Sequence, residues 1–254
     1  METLYTRDIN TNPRKFALPL LAAALLLLPA CLRTPPTEIP IPGIPVVDAD
    51  PANKSLLIML PGRGDRAEIF EASGFLDGAE HWNFDVLTVD AHFGYYRERS
   101  LIRRLHEDII APARAHGYDN IWLLGVSMGG FGSLLYANRH SDNIGGVILL
   151  APFLGDPELP RRIDAAGGLH AWSGADAPGF SDPEIGIWSW LKHASNGANG
   201  SRVILGYGRS DRLAEAYGPL IEALDPSQIY RIDGGHSWTT WRPLWSRIVA
   251  DLEL

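Results

Sequence analysis

Gly125-Val126-Ser127-Met128-Gly129 sets a serine between two glycines at a spacing suited to nucleophilic catalysis. It follows an apolar run, Ile121 to Leu124, and opens a helical pattern that reaches about Asn138. A turn from strand to helix this tight leaves no room for side chains at Gly125 and Gly129. It also holds the serine between them at strained backbone angles. The helix aims its first N–H groups at the chemistry, where they favour a developing oxyanion. A serine hydroxyl alone is nearly inert at neutral pH. It needs an imidazole to take its proton and a carboxylate to hold that imidazole in the right tautomer.

What could bring such groups together is an alternation of strands and helices that begins near residue 55. Apolar runs at Leu56–Leu60, Phe84–Val89, Ile121–Leu124, Val147–Leu150, Val203–Leu205 and Ile229–Ile232 read as six strands. They are continuous rather than alternating, as expected of strands in a mostly parallel sheet with helices on both faces. Between the second and third runs, Ser100 to about Ala115 reads as an amphipathic helix that Pro112 kinks or ends early. A final helix starts near Trp238, and no strand is legible before Leu56. From Pro152 to Gly200 the periodicity breaks down into Gly, Pro, Asp and Trp.

With the serine in this strand–turn–helix setting, residues 55–254 resemble the α/β-hydrolase superfamily, whose order is nucleophile, acid, histidine. That resemblance implies the α/β-hydrolase fold and a triad of Ser127, Asp211 and His236. Asp211 lies just beyond the Val203–Leu205 run, and His236 just beyond Ile229–Ile232. Asp233 is a rival for the acid, but from three residues before His236 it is better placed to brace the loop through local backbone N–H groups. Leu60-Pro61-Gly62-Arg63-Gly64-Asp65 resembles the family's His-Gly oxyanion loop, with Pro61 in place of His, and implies backbone N–H donors at Arg63 and Met128. Its Arg63-Gly64-Asp65 also spells an adhesion tripeptide, a match that chance supplies often. The stretch Gly234 to Arg242 (GGHSWTTWR) is similar to the C-terminal pattern of esterase D-like carboxylesterases.

The same likeness implies a small cap inserted at about 152–200, closing a substrate pocket with Trp172, Trp188 and Trp190, while Trp238 joins the pocket from beside His236. The alternative is a surface loop region whose Trp side chains pack back onto the sheet. His92, at the carboxyl end of the second strand, is a further candidate for the pocket. His81, His106, His116, His140, His170 and His193 read as surface or packing residues.

The formal charge of −8, with no basic run, argues against a nucleic-acid or anionic-membrane surface. Cys31 is the only cysteine, so neither an internal disulfide nor a multi-Cys metal site is available to the chain. Arg7, Arg14 and Lys15 precede an apolar run from Phe16 to Leu32, as in a secretory signal. Leu28-Pro29-Ala30-Cys31 resembles a bacterial lipobox, which implies a signal peptide over 1–30 and a lipidated Cys31. An ordinary cleaved signal and an uncleaved anchor stay open. The lipoprotein is favoured because the single Cys falls where the apolar run ends. Residues 31–54, rich in Pro, read as a stiff extended tether between a membrane and the catalytic domain.

Together these features predict a lipid-anchored serine esterase of the bacterial cell envelope, or a secreted one. It would act on a small-molecule carboxylic ester through an acyl-enzyme, with no cofactor and no metal. A thioesterase, peptidase or acyltransferase would use the same triad. A non-catalytic envelope binding module is the reading from another class, disfavoured because all three triad members are present. Nothing in the sequence sets the oligomeric state or names the ester.

Overall fold

The computed structural model describes residues 34–46, 54–174, 179–198 and 200–252. The chain divides into two units, Met1–Pro35 and Pro36–Leu254, and the fold described here is that of the second. Cys31 and the signal segment lie outside the described residues.

Seven strands form one sheet: β1 (Gly43–Pro45), β2 (Ser55–Leu60), β3 (Asp85–Val89), β4 (Asn120–Val126), β5 (Gly146–Leu150), β6 (Arg202–Gly208) and β7 (Ile229–Ile232). Their order across the sheet is β1-β3-β2-β4-β5-β6-β7. β1 runs antiparallel to β3, and every other pairing is parallel. Between the strands lie α1 (Ile69–Ala72), α2 (Phe93–Arg97), a helical rod over 101–115, α3 (Met128–Arg139), α4 (Glu158–Ala165), α5 (Asp182–Ser195) and α6 (Gly218–Ala223), and α7 (Trp238–Ala250) follows the last strand.

The continuous apolar runs are explained by burial on both faces. Alternate strand residues divide between two cores. Leu56, Ile58, Leu60, Leu123, Val147 and Leu205 join Leu134 of α3 and Trp188 of α5 on one face. Leu57, Met59, Leu124, Ile148 and Ile204 join Phe70, Trp241, Leu244 and Trp245 on the other. Each fully buried Leu or Ile stabilises the fold by roughly 1.5–3 kcal/mol, so neither face of β2 or β5 tolerates a polar residue cheaply.

Four expectations need correction. A strand does precede Leu56: β1 pairs Gly43, Ile44 and Pro45 with Val89, Thr88 and Leu87. It is three residues long and carries Pro45, as edge strands do, so periodicity could not reveal it. Part of the stretch read as a tether is therefore built into the domain. The Ile41 N–H donates to Asp108 Oδ2 at 2.9 Å, the Glu38 N–H donates to the Tyr95 hydroxyl at 2.9 Å, and Ile41 is buried. The third is the insertion at 152–200. Its α5 packs on α3 and β6 as a sheet-covering helix, and Ser181 caps it in a reciprocal box with Glu184. The rod over 101–115 passes Pro112 without ending, because Leu105–Ile110 widens into a π-helical turn just before it.

Candidate active site

The parallel sheet delivers Ser127, Asp211 and His236 to one edge, since each follows the carboxyl end of its strand: β4, β6 and β7. Ser127 sits at φ 52° and ψ −110°, a region that costs on the order of 1–3 kcal/mol for a residue with a side chain. The surrounding glycines permit it. A Cβ on Gly125 would lie 2.3 Å from Gly129 O, and one on Gly129 would lie 2.1 Å from Leu60 O. Ser127 is pinned through its own N–H, which donates to Leu150 O at 2.9 Å.

Nε2 of His236 stands 2.9 Å from Ser127 Oγ. Nδ1 stands 3.0 and 2.9 Å from the two carboxylate oxygens of Asp211. With Nδ1–H donating to that carboxylate, the Nε2 lone pair faces the serine hydroxyl. The Asp211 side chain is wholly buried, and the Leu213 N–H donates to its Oδ1 at 2.8 Å. The loops bearing Asp211 and His236 are tied by backbone: Ser210 N–H donates to Gly234 O at 2.9 Å and Arg209 N–H to Ile232 O at 2.8 Å. A Cβ at Gly208 would meet Gly234 O at 2.3 Å, so only glycine lets those loops touch. Asp233 is elsewhere. Its side chain is 95% exposed and pairs with Arg209 Nε at 3.0 Å.

Beside Ser127 lie the start of α3 and the loop after β2. Gly130 and Phe131 N–H groups return to Ser127 O, whereas the Met128 N–H, at the first helical position, has no intrahelical acceptor. Tyr96 Oη–H donates to Met128 O at 3.0 Å and steadies that turn. Gly62 abuts the serine: a Cβ there would be 3.8 Å from Ser127 Cβ. Arg63 follows it, with an exposed side chain whose guanidinium lies 4.8 Å over the Phe93 ring.

The pocket residues divide. Trp238 is half-buried beside the triad, and its Nε1–H donates to Asp65 Oδ2 at 3.2 Å. Trp172, Trp188 and Trp190 are 1%, 0% and 5% exposed in the core under α5. Side chains so enclosed offer no surface to a ligand, which corrects their reading as pocket walls. His92 is corrected likewise. It is 3% exposed, its Nδ1 caps α2 by accepting the Gly94 N–H, and burial pushes its pKa down. Two partners were missed in the sequence. Trp241 stands edge-on to the His236 ring at 4.8 Å, and Asp65 holds Trp238. The Trp-x-x-Trp spacing, which puts both indoles on one helix face, was the available signal. Among the described residues, no group of three His, Cys, Asp or Glu side chains is arranged to hold a metal ion.

A sequence model of the alpha/beta hydrolase fold matches residues 56–173, and no curated protein matches the chain. Solved structures do. The S-formylglutathione hydrolase of Staphylococcus aureus is similar with a TM-score of 0.54 at 16% identity, covering 78% of this chain and 80% of that one. A predicted CIB-like hydrolase from Thermoplasma acidophilum gives 0.54 at 16%, covering 80% and 87%. Est1E from Butyrivibrio proteoclasticus gives 0.51 at 15%, covering 78% and 86%. At such identities the likeness is one of fold. The chain has the α/β-hydrolase fold, with a seven-stranded, mostly parallel sheet.

Proposed function

We propose that this protein is a serine hydrolase of small-molecule carboxylic esters. One observation carries the reading: the unbroken hydrogen-bonded series from Ser127 Oγ through His236 to the buried Asp211 carboxylate. Ser127 Oγ attacks the ester carbonyl while its proton passes to His236 Nε2. The resulting imidazolium is held by Asp211 through Nδ1–H, and Asp211 itself stays ionised. Negative charge on the former carbonyl oxygen falls to the N–H groups of Met128 and Arg63. When that intermediate collapses, His236 returns the proton to the leaving alcohol oxygen and an acyl-Ser127 ester remains. Water, activated by the same imidazole, attacks the acyl group, releases the acid and restores the serine proton.

The wide membership of this fold makes the site, not the architecture, the basis for the reading. A panel of p-nitrophenyl esters of graded acyl length, run beside a thioester and a peptide amide, tests it. Carboxylic esters turned over well above the other two support an esterase. Turnover of the thioester or amide alone would contradict it.

For the N-terminus, the proposal is lipidation at Cys31, which would hold the catalytic domain at the bacterial cell envelope. The apolar run that ends at that cysteine supports it.

A further inference from the structure

A side-chain hydrogen bond joins the loop after β2 to the start of α7, between residues far apart in the chain. Trp238 Nε1–H donates to Asp65 Oδ2 at 3.2 Å. On the Asp65 side, the Asp65 N–H closes a turn onto Gly62 O at 3.2 Å. A Cβ at Gly62 would lie 3.2 Å from Asp65 Oδ2 and 3.8 Å from Ser127 Cβ, so Gly62 lies between the carboxylate and the serine. The expected oxyanion donor, Arg63, belongs to that same turn.

On the other side, the indole is held by packing. Trp238 meets Phe70, Phe75 and Trp241 edge-on, with centroids 5.6, 5.1 and 5.2 Å away. Trp241 in turn stands edge-on to His236. A ring fixed on three sides presents its N–H in one direction, and Asp65 receives it. Burial raises the Asp65 carboxyl pKa, with the Trp238 hydrogen bond opposing. A half-buried carboxylate at such a place loses hydration that this N–H partly replaces.

We propose that Asp65 and Trp238 form a strut that fixes the spacing between the oxyanion loop and the histidine loop, making both positioning residues for the reaction. The inference rests on the serine-hydrolase reading above. Oxyanion donors act only where the charge develops, and a shift of about 1 Å in a positioning group is on the scale of a 100-fold loss.

The test compares full-length wild type with W238F, D65A, D65A/W238F and D65N, measuring kcat and KM on a soluble p-nitrophenyl ester, fluorophosphonate labelling rate and thermal unfolding. W238F keeps one aromatic ring in the cluster with Phe70, Phe75 and Trp241 but removes the N–H together with part of the indole's volume. Thermal unfolding reads the packing share of its effect. Both W238F and D65A are expected to lower kcat by about 10-fold or more with KM within about twofold. The double variant should be no slower than the slower of the two single variants, because the second change finds the strut already broken. D65N keeps a carbonyl acceptor and should recover to within about threefold of wild type. An unchanged kcat in W238F, or losses that multiply in the double variant, overturns the strut while wild-type activity leaves the hydrolase reading intact. A wild type that neither labels nor hydrolyses esters overturns both.

Discussion

Asp211 presents both carboxylate oxygens to Nδ1 of His236, at 3.0 and 2.9 Å, from a side chain with no exposure to solvent. Asp233, nearer in sequence, faces outward and holds Arg209. The contrast makes a paired prediction. Asp211→Asn keeps the shape but turns the imidazole to the wrong tautomer, and kcat should fall at least about 100-fold, on the order of 3 kcal/mol of transition-state stabilisation. Asp233→Asn breaks an exposed pair whose contribution is at most about 1 kcal/mol, and kcat should stay within about twofold. Steady-state kinetics on the two purified variants decides which carboxylate completes the triad.

Alanine at Gly129 should abolish folding rather than merely slow catalysis. Its Cβ would stand 2.1 Å from Leu60 O and 2.7 Å from Pro61 O, both backbone atoms that cannot swing aside. Alanine at Gly64, with no atom within 4 Å of its Cβ, keeps only the strain of φ +93° and should cost on the order of 1 kcal/mol. Circular dichroism and soluble yield of the two variants check the difference.

Trp188 is fully enclosed, and its Nε1–H donates to Leu154 O at 3.2 Å. Trp188→Phe should cost a few kcal/mol by deleting ring volume and orphaning that carbonyl, while the acyl-length profile of the folded fraction stays that of wild type. A changed profile at unchanged stability would return Trp188 to the pocket wall.

The division between what the sequence revealed and what it hid follows the range of the interactions. Ser127 was legible because its glycines, strand and helix occupy neighbouring positions. Asp211 and His236 were legible because a parallel sheet places the ends of successive strands side by side, so chain order maps onto space. The role of Trp188 was not, because a tryptophan in a Gly- and Pro-rich stretch looks alike whether it packs inward or lines a cleft. Ile41 and β1 were hidden for a related reason. Their partners, Asp108 and Val89, lie more than 40 residues onward, and a proline-rich segment shows no period until a sheet edge receives it.

His92 titrates within a buried cap, and burial holds its pKa below the ordinary value near 6.5. The unfolded chain therefore takes up that proton first as pH falls, and stability contributed by neutral His92 is lost below about pH 6.5. Urea midpoints from pH 7.5 to 5 should decline over this window. His92→Asn, which can still cap α2, should flatten part of the decline.

If Cys31 carries lipid, wild type expressed in a bacterium should partition into detergent and Cys31→Ala should not. Each buried CH₂ of an acyl chain adds about 0.8 kcal/mol to membrane affinity, so the contrast should be large. Intact mass of the processed chain checks it, and an unmodified N-terminus elsewhere would dismiss the anchor.

Ser127 is the proposed nucleophile, and a fluorophosphonate probe reads that role at the residue itself. Peptide mass analysis should find one adduct on wild type, carried by the peptide that contains Ser127. Ser127→Ala should take up no probe and hydrolyse p-nitrophenyl esters at least about 1,000-fold more slowly, the residue of activity coming from binding and the oxyanion donors alone. A Ser127→Ala protein that still labels and still hydrolyses at the wild-type rate would rule Ser127 out as the nucleophile.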